Sequence, residues 1–333
     1  MTVAPGEKIT VSPKPAPARS QHRIVKALVV VAVAFLLLEL LFRTQGNFLS
    51  KDISHLKSFD HLAASLMQHE PNEQSVLFLG NSLTRYGVNP ELFTDEIKKQ
   101  TGLQVHPGKV NPDNTALADW YYAYRHFFSR ENRKPDLMII GFEGGHLRDA
   151  PSRHLDRLAY FYCDLNDWEA VQKYDARTFE ERLYFSSCSL SAALANRDRI
   201  QRRILDVIIP QYREGMDQMN ERLTQKTAPA ASTVSYQRLD DLLTQAEHDG
   251  VRVFLAAMPV PEAYTFDKEL LDCCQKHAVP LLDCQSVPGI QLEMFFDGLH
   301  MDEAASELYT KYLAETIRPY LNSPPERQFV LQN

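Results

Sequence analysis

Five short apolar runs constrain the fold of this chain more than any other feature. They span residues 75–79, 103–106, 137–140, 251–258 and 279–283. The first and third run directly into Gly80 and Gly141. Short runs that are apolar at nearly every position are the pattern of strands covered on both faces. Between them lie stretches of helical character. Residues 90–100 open with Pro90, carry Leu92, Phe93 and Ile97 on one side, and stop before Gly102. Residues 115–129 are aromatic-rich, and 236–248, 266–277 and 302–320 complete the set. Strand and helix in alternation imply βαβ units, and so a doubly wound parallel sheet of five strands with helices on both faces.

About 110 residues separate the third and fourth runs, far more than one crossover helix needs. Residues 147–235 therefore read as a helical insertion or subdomain. It includes amphipathic stretches at 197–209 and 211–223 and a closing surface loop at 227–233.

The N-terminus is of another kind. Residues 1–23 hold Pro5, Pro13, Pro15 and Pro17 and read as an extended tail. Residues 24–42 are apolar apart from Lys26 and Glu39, and 27–38 are apolar without a break. As a helix, 19 residues reach roughly 28 Å, about one bilayer core. Arg19, Arg23 and Lys26 crowd the N-terminal side, which places the tail in the cytoplasm and the bulk of the chain outside it. A single-pass anchor is the reading this favours. A cleaved signal peptide and a buried helix are the alternatives; residues 43–50 offer no A-x-A cleavage site. Residues 43–73 then read as a linker or helical stalk, 74–321 as the main domain and 322–333 as a tail.

Composition excludes several functions. The net charge is -7 and no basic block exists, which disfavours nucleic acid as a partner. No G-x-x-x-x-G-K, G-x-G-x-x-G or H-E-x-x-H is present, so neither a nucleotide cofactor nor a metal is expected. Five cysteines leave two options open: pairing of Cys163 with Cys188 and of Cys284 with Cys273 or Cys274, or five free thiols.

In open parallel sheets ligands bind beyond the carboxyl ends of the strands. Ser82 follows the first strand in Gly80-Asn81-Ser82, where a turn offers its hydroxyl backbone N–H groups for an oxyanion. Before the last helix stands Asp297-Gly298-Leu299-His300. An Asp three residues ahead of a His can fold back onto the imidazole and hold the tautomer that a general base needs.

Together these blocks resemble the SGNH (GDSL-like) hydrolase superfamily, over residues 74–321 with the insertion unmatched. The stretch VLFLGNSLTRYGVNPELF, with its G-[NS]-S-x-x-x-x-G-x-x-P spacing, is similar to membrane-anchored envelope members. The resemblance implies a flavodoxin-like sheet, Ser82 as nucleophile, and His300 and Asp297 as its base and orienting acid. It implies further oxyanion donors after strands two and three. Gly108 or Asn114 matches the first position; Gly144, Gly145 or the imidazole of His146 stands where the family has an Asn. Arg85 and His146 are candidate substrate contacts. The expected activity is a serine-dependent acyl-ester hydrolase at the cell envelope, with an ester-bearing glycan or lipid as substrate and no cofactor. An O-acyltransferase using the same site, and a non-catalytic glycan-binding factor on this fold, are the alternatives.

Overall fold

The computed structural model describes residues 18–209 and 234–321 of the chain. Two helices come first, α1 (Ala18–Leu49) and α2 (Lys51–Leu66). Strand β1 (Glu73–Leu79) leads into α3 (Ser82–Gly87) and α4 (Pro90–Thr101), then β2 (Gln104–Val110) and α5 (Leu117–Tyr124), which widens into a π turn over Arg125–Ser129. After β3 (Leu137–Phe142) come the insertion helices α6 (Leu155–Arg157), α7 (Trp168–Tyr174), α8 (Phe179–Leu190) and α9 (Ala192–Ile208). The chain closes with α10 (Gln237–Asp249), β4 (Arg252–Ala257), α11 (Lys268–Lys276), β5 (Leu281–Asp283) and α12 (Glu303–Leu321). The expected stretches at 211–223 and 227–233 lie outside the described residues.

The five strands form one parallel sheet, as the alternation of runs predicts, in the order β2-β1-β3-β4-β5, which matches the flavodoxin-like sheet that the resemblance implies. The strands read as unbroken apolar runs because the pleat sends alternate side chains into two different cores. Val76 and Phe78 of β1, Leu137 and Ile139 of β3, and Phe254 and Ala256 of β4 face α3, α4 and α12. Leu77, Leu79, Met138, Ile140, Leu255 and Ala257 face α2, α5, α10 and α11.

Two segments differ from their sequence reading. Residues 43–73 are not a stalk: α1 continues to Leu49, and α2 buries Leu56, Phe59, Ala63 and Leu66 in the second core. Their spacing, three or four residues apart, is the stripe of a helix lying on a domain. The insertion is not a separate subdomain either. Leu158, Tyr162, Val171, Phe185 and Cys188 belong to that same core. Buried charges secure it: Asp175 accepts from Tyr122 Oη at 2.8 Å and pairs with Arg238 at 3.1 Å. All five cysteines are free thiols, so the pairing option fails. Burial pushes the thiols of Cys273, Cys274 and Cys284 up to about 12.

Candidate active site

Gly80 ends β1 and lets the chain turn sharply against β3. A Cβ at Gly80 would overlap Thr84 Oγ1 and stand 3.0 Å from the Gly141 carbonyl oxygen. The side chain of Asn81 then starts α3, its Oδ1 accepting the Leu83 N–H at 2.9 Å. Its Nδ2 donates to the Thr115 carbonyl at 3.0 Å, joining this turn to the loop after β2. Ser82 is therefore the first residue of α3, a position whose N–H has no partner within its own helix.

His300 reaches the same place from 218 positions further along the chain. Phe295 and Met301 pair as an antiparallel bridge, and Gly298 turns between them at φ 79°. Asp297 organises this hairpin. Its Oδ1 accepts the N–H groups of Leu299 at 3.1 Å and His300 at 2.8 Å, while Oδ2 lies 2.6 Å from His300 Nδ1. The carboxylate can only accept, so the network assigns the ring proton to Nδ1. His300 Nε2 is thus an acceptor, and it lies 2.8 Å from Ser82 Oγ. Burial alone would raise the Asp297 carboxyl, but the N–H and ring of His300 outweigh it and hold the group below the ordinary carboxylate value. Tyr86 packs edge-on against the His300 ring at 5.0 Å, and Phe296 stacks on it at 5.9 Å. The same two rings help line a groove of about 530 Å³, with Arg85, Lys109 and Met301.

The remaining sequence candidates take varied places. Gly108 lies inside β2 opposite Leu77, short of the strand's end at Val110, where a Cβ would meet Leu66 of α2 at 3.2 Å. Its small size serves helix-on-strand packing. Asn114, at φ 52°, turns its amide to His154 Nε2 at 3.4 Å. Arg85 is ion-paired with Asp113 at 2.9 Å.

Gly144 and Gly145 form the turn after β3, with Gly144 at φ 44°. His146 closes it: its N–H donates to the Glu143 carbonyl, its Nδ1 accepts the Glu143 N–H at 3.4 Å, and Nε2 faces the Glu143 carboxylate at 3.2 Å. Burial, with Arg153 nearby, pushes the imidazole down to about 4, so it is neutral at pH 7. With Nδ1 accepting, the ring proton belongs on Nε2, the side that faces Glu143, whose carboxyl is itself raised by burial and by Glu262.

Two contributors escaped the sequence reading. Asn81 was visible only as part of the Gly-Asn-Ser block. Lys109 donates to the Arg85 and Val88 carbonyls at 2.9 Å each and so fixes the far end of α3; a lone lysine late in a strand carries no signal of that task. Asp240, Cys273 and His277 bring ligand-type atoms within 4.8 Å of one another, but Lys276 and His277 both bond Asp240 there. That cluster is an ion-pair join between α10 and α11.

No family model matches this sequence, and no curated relative does. Among solved structures the chain is similar to the acetyl xylan esterase Axe2 from Geobacillus stearothermophilus, at TM-score 0.39 and 10% identity over 74% of this chain and 95% of that one. It is also similar to the lipase Lip_vut3 from a goat rumen metagenome, at TM-score 0.32 and 12% identity over 72% of this chain and 96% of that one.

Proposed function

We propose that this protein is a serine-dependent acyl-ester hydrolase of the SGNH (GDSL-like) type, anchored in a membrane and acting on acylated glycans or lipids at the cell envelope. One observation carries the reading: Ser82 Oγ, His300 Nε2 and Nδ1, and Asp297 Oδ2 form an unbroken line of contacts of 2.8 and 2.6 Å. A proton acceptor within hydrogen-bond reach of a hydroxyl, itself held by a carboxylate, is the arrangement nucleophilic catalysis requires.

Ser82 Oγ attacks the ester carbonyl carbon as its proton passes to His300 Nε2. Asp297 stays ionised and stabilises the imidazolium. The tetrahedral oxyanion is held by the Ser82 N–H, with the N–H groups of Gly144 and Gly145 as the second source. Collapse expels the alcohol, which takes the proton back from Nε2 and leaves an acyl group on Ser82. Water, deprotonated by the same nitrogen, then releases the acid.

The anchor is α1. Residues His22–Phe48 are long and apolar enough to cross a membrane, and side chains such as Leu28, Val30 and Leu36 are more than half exposed. The basic residues before the span put the tail on the cytoplasmic side and the sheet on the other.

The test is labelling with a fluorophosphonate probe, alongside release of free acid from a model aryl ester with no sugar acceptor added. The unaltered chain should label and turn over, and Ser82→Ala should do neither at an unchanged melting temperature. Equal labelling of both would end the reading. Retention in membranes after a carbonate wash tests the anchor separately.

A further inference from the structure

The insertion presents an apolar stripe that no described residue covers. On α8, Phe179, Leu183 and Leu190 are 74%, 58% and 77% exposed. At 100° per residue, Leu183 lies about 40° and Leu190 about 20° around the helix from Phe179, so all three share one face. The buried residues of α8, Phe185 and Cys188, point elsewhere, into the core. Glu181 is turned off the stripe, its carboxylate taking the Thr178 N–H at 2.8 Å.

The place of this stripe is set by α1. The Leu190 carbonyl, at the end of α8, accepts from Arg43 Nη2 at 2.8 Å. The next residues are held even more firmly. Ser191 Oγ and the N–H groups of Ala192 and Ala193 all donate to the Glu39 carboxylate, at 2.8, 2.9 and 3.0 Å. Glu39 and Arg43 are the first charges after the apolar stretch of α1, one helical turn apart. Leu190 therefore sits where hydrocarbon gives way to headgroups for any bilayer that α1 crosses. An apolar helical face starting at that level matches the build of a helix lying in a membrane interface.

We propose that the Phe179, Leu183 and Leu190 face of α8 rests on the surface of the lipid bilayer that α1 spans. The proposal depends on the reading of α1 as a membrane-crossing helix. It gives the insertion a task that the sheet and the site do not require: a second contact with the membrane, which fixes the tilt of the domain over it.

The experiment places single tryptophans in the full-length chain, reconstituted into phosphatidylcholine vesicles with and without bromine on the acyl chains near the carbonyl end. Phe179→Trp and Leu183→Trp report the stripe, Val31→Trp the span, and Leu292→Trp an exposed site beyond β5. Trp120 and Trp168 supply a common background, and their emission reports that each variant is folded. Bromine should remove the added emission of Phe179→Trp, Leu183→Trp and Val31→Trp and leave that of Leu292→Trp unchanged. Loss at Val31→Trp without loss at the two stripe positions overturns the proposal and leaves the anchor standing. No loss at Val31→Trp overturns both. Equal loss at Leu292→Trp means general adsorption and overturns the stripe as the contact.

Discussion

Oδ2 of Asp297 lies 2.6 Å from Nδ1 of His300, while Oδ1 of the same carboxylate accepts the His300 backbone N–H at 2.8 Å. One side chain thus fixes both the position of the histidine and the side of the ring that carries its proton. In Asp297→Asn the amide keeps the shape but can present an N–H to Nδ1, which moves the ring proton to Nε2 and blocks proton uptake from Ser82. By comparison with that exchange in other Ser-His-Asp sites, kcat should fall roughly 10³- to 10⁴-fold with KM little changed. Steady-state kinetics on an aryl ester decides it; an unaltered kcat would remove Asp297 from the site.

Acid should weaken the fold in part through His146. Its folded value is about 4, against about 6.5 in an unfolded chain. Between those values the unfolded state binds more protons, so stability drops as pH falls from about 6.5 to about 4, by on the order of 3 kcal/mol for this one group. Asp119 acts oppositely, because burial raises its carboxyl to about 6 and folding then favours the protonated form. Denaturant unfolding across this pH range should show a shallower acid decline for His146→Gln than for the parent. Parallel curves would exclude the effect.

Gly80→Ala should damage the site through packing. The added methyl overlaps Thr84 Oγ1, lies 2.8 Å from Thr84 Cβ and 3.0 Å from the Gly141 oxygen, and so drives α3 away from the sheet. Overpacking of this kind costs about 1–3 kcal/mol, and ester turnover should fall with it because Ser82 rides on α3. Thr84→Ala added to Gly80→Ala should restore part of the stability. Absence of any rescue would show that the strain lies elsewhere.

Phe59→Ala tests whether α2 belongs to the domain. The ring is fully buried, 6.1 Å edge-on from Phe127. Loss of a buried Phe costs about 3–5 kcal/mol. Chemical denaturation should register that loss for the whole domain in one transition; a change below about 1 kcal/mol would return α2 to the status of a stalk.

The sheet was legible because its signal is local. Leu77, Phe78, Met138 and Ile139 are each flanked by apolar neighbours, and two-sided burial requires nothing less. The Ser82 and His300 blocks were legible because turn and cap chemistry clusters within four residues. Residues whose task depends on distant partners were not. Asn81 matters through the Thr115 carbonyl, Lys109 through the carbonyls of α3, and Glu39 through the start of α9; none of these pairings leaves a trace in its own neighbourhood. Gly108 misled for the same reason. A glycine near a strand end suggests a turn, and only the course of α2 reveals that Leu66 needs the space. The packing of α2 on the domain went unread, although the segment reads as a linker or helical stalk, because its apolar residues follow a membrane-like run that dominated the region.

The two halves of the Ser82–His300 contact are 218 positions apart. On the ribosome the hydroxyl-bearing turn is made first. At about 5–20 residues per second its partner follows roughly 10–45 s later. Until β5 is laid along the edge of the sheet and the hairpin at Asp297 has closed, the serine has no base within reach. In a nascent or truncated chain that stops short of His300 the proposed nucleophile therefore lacks its proposed base however well the first strands have paired, because the 2.8 Å contact needs both.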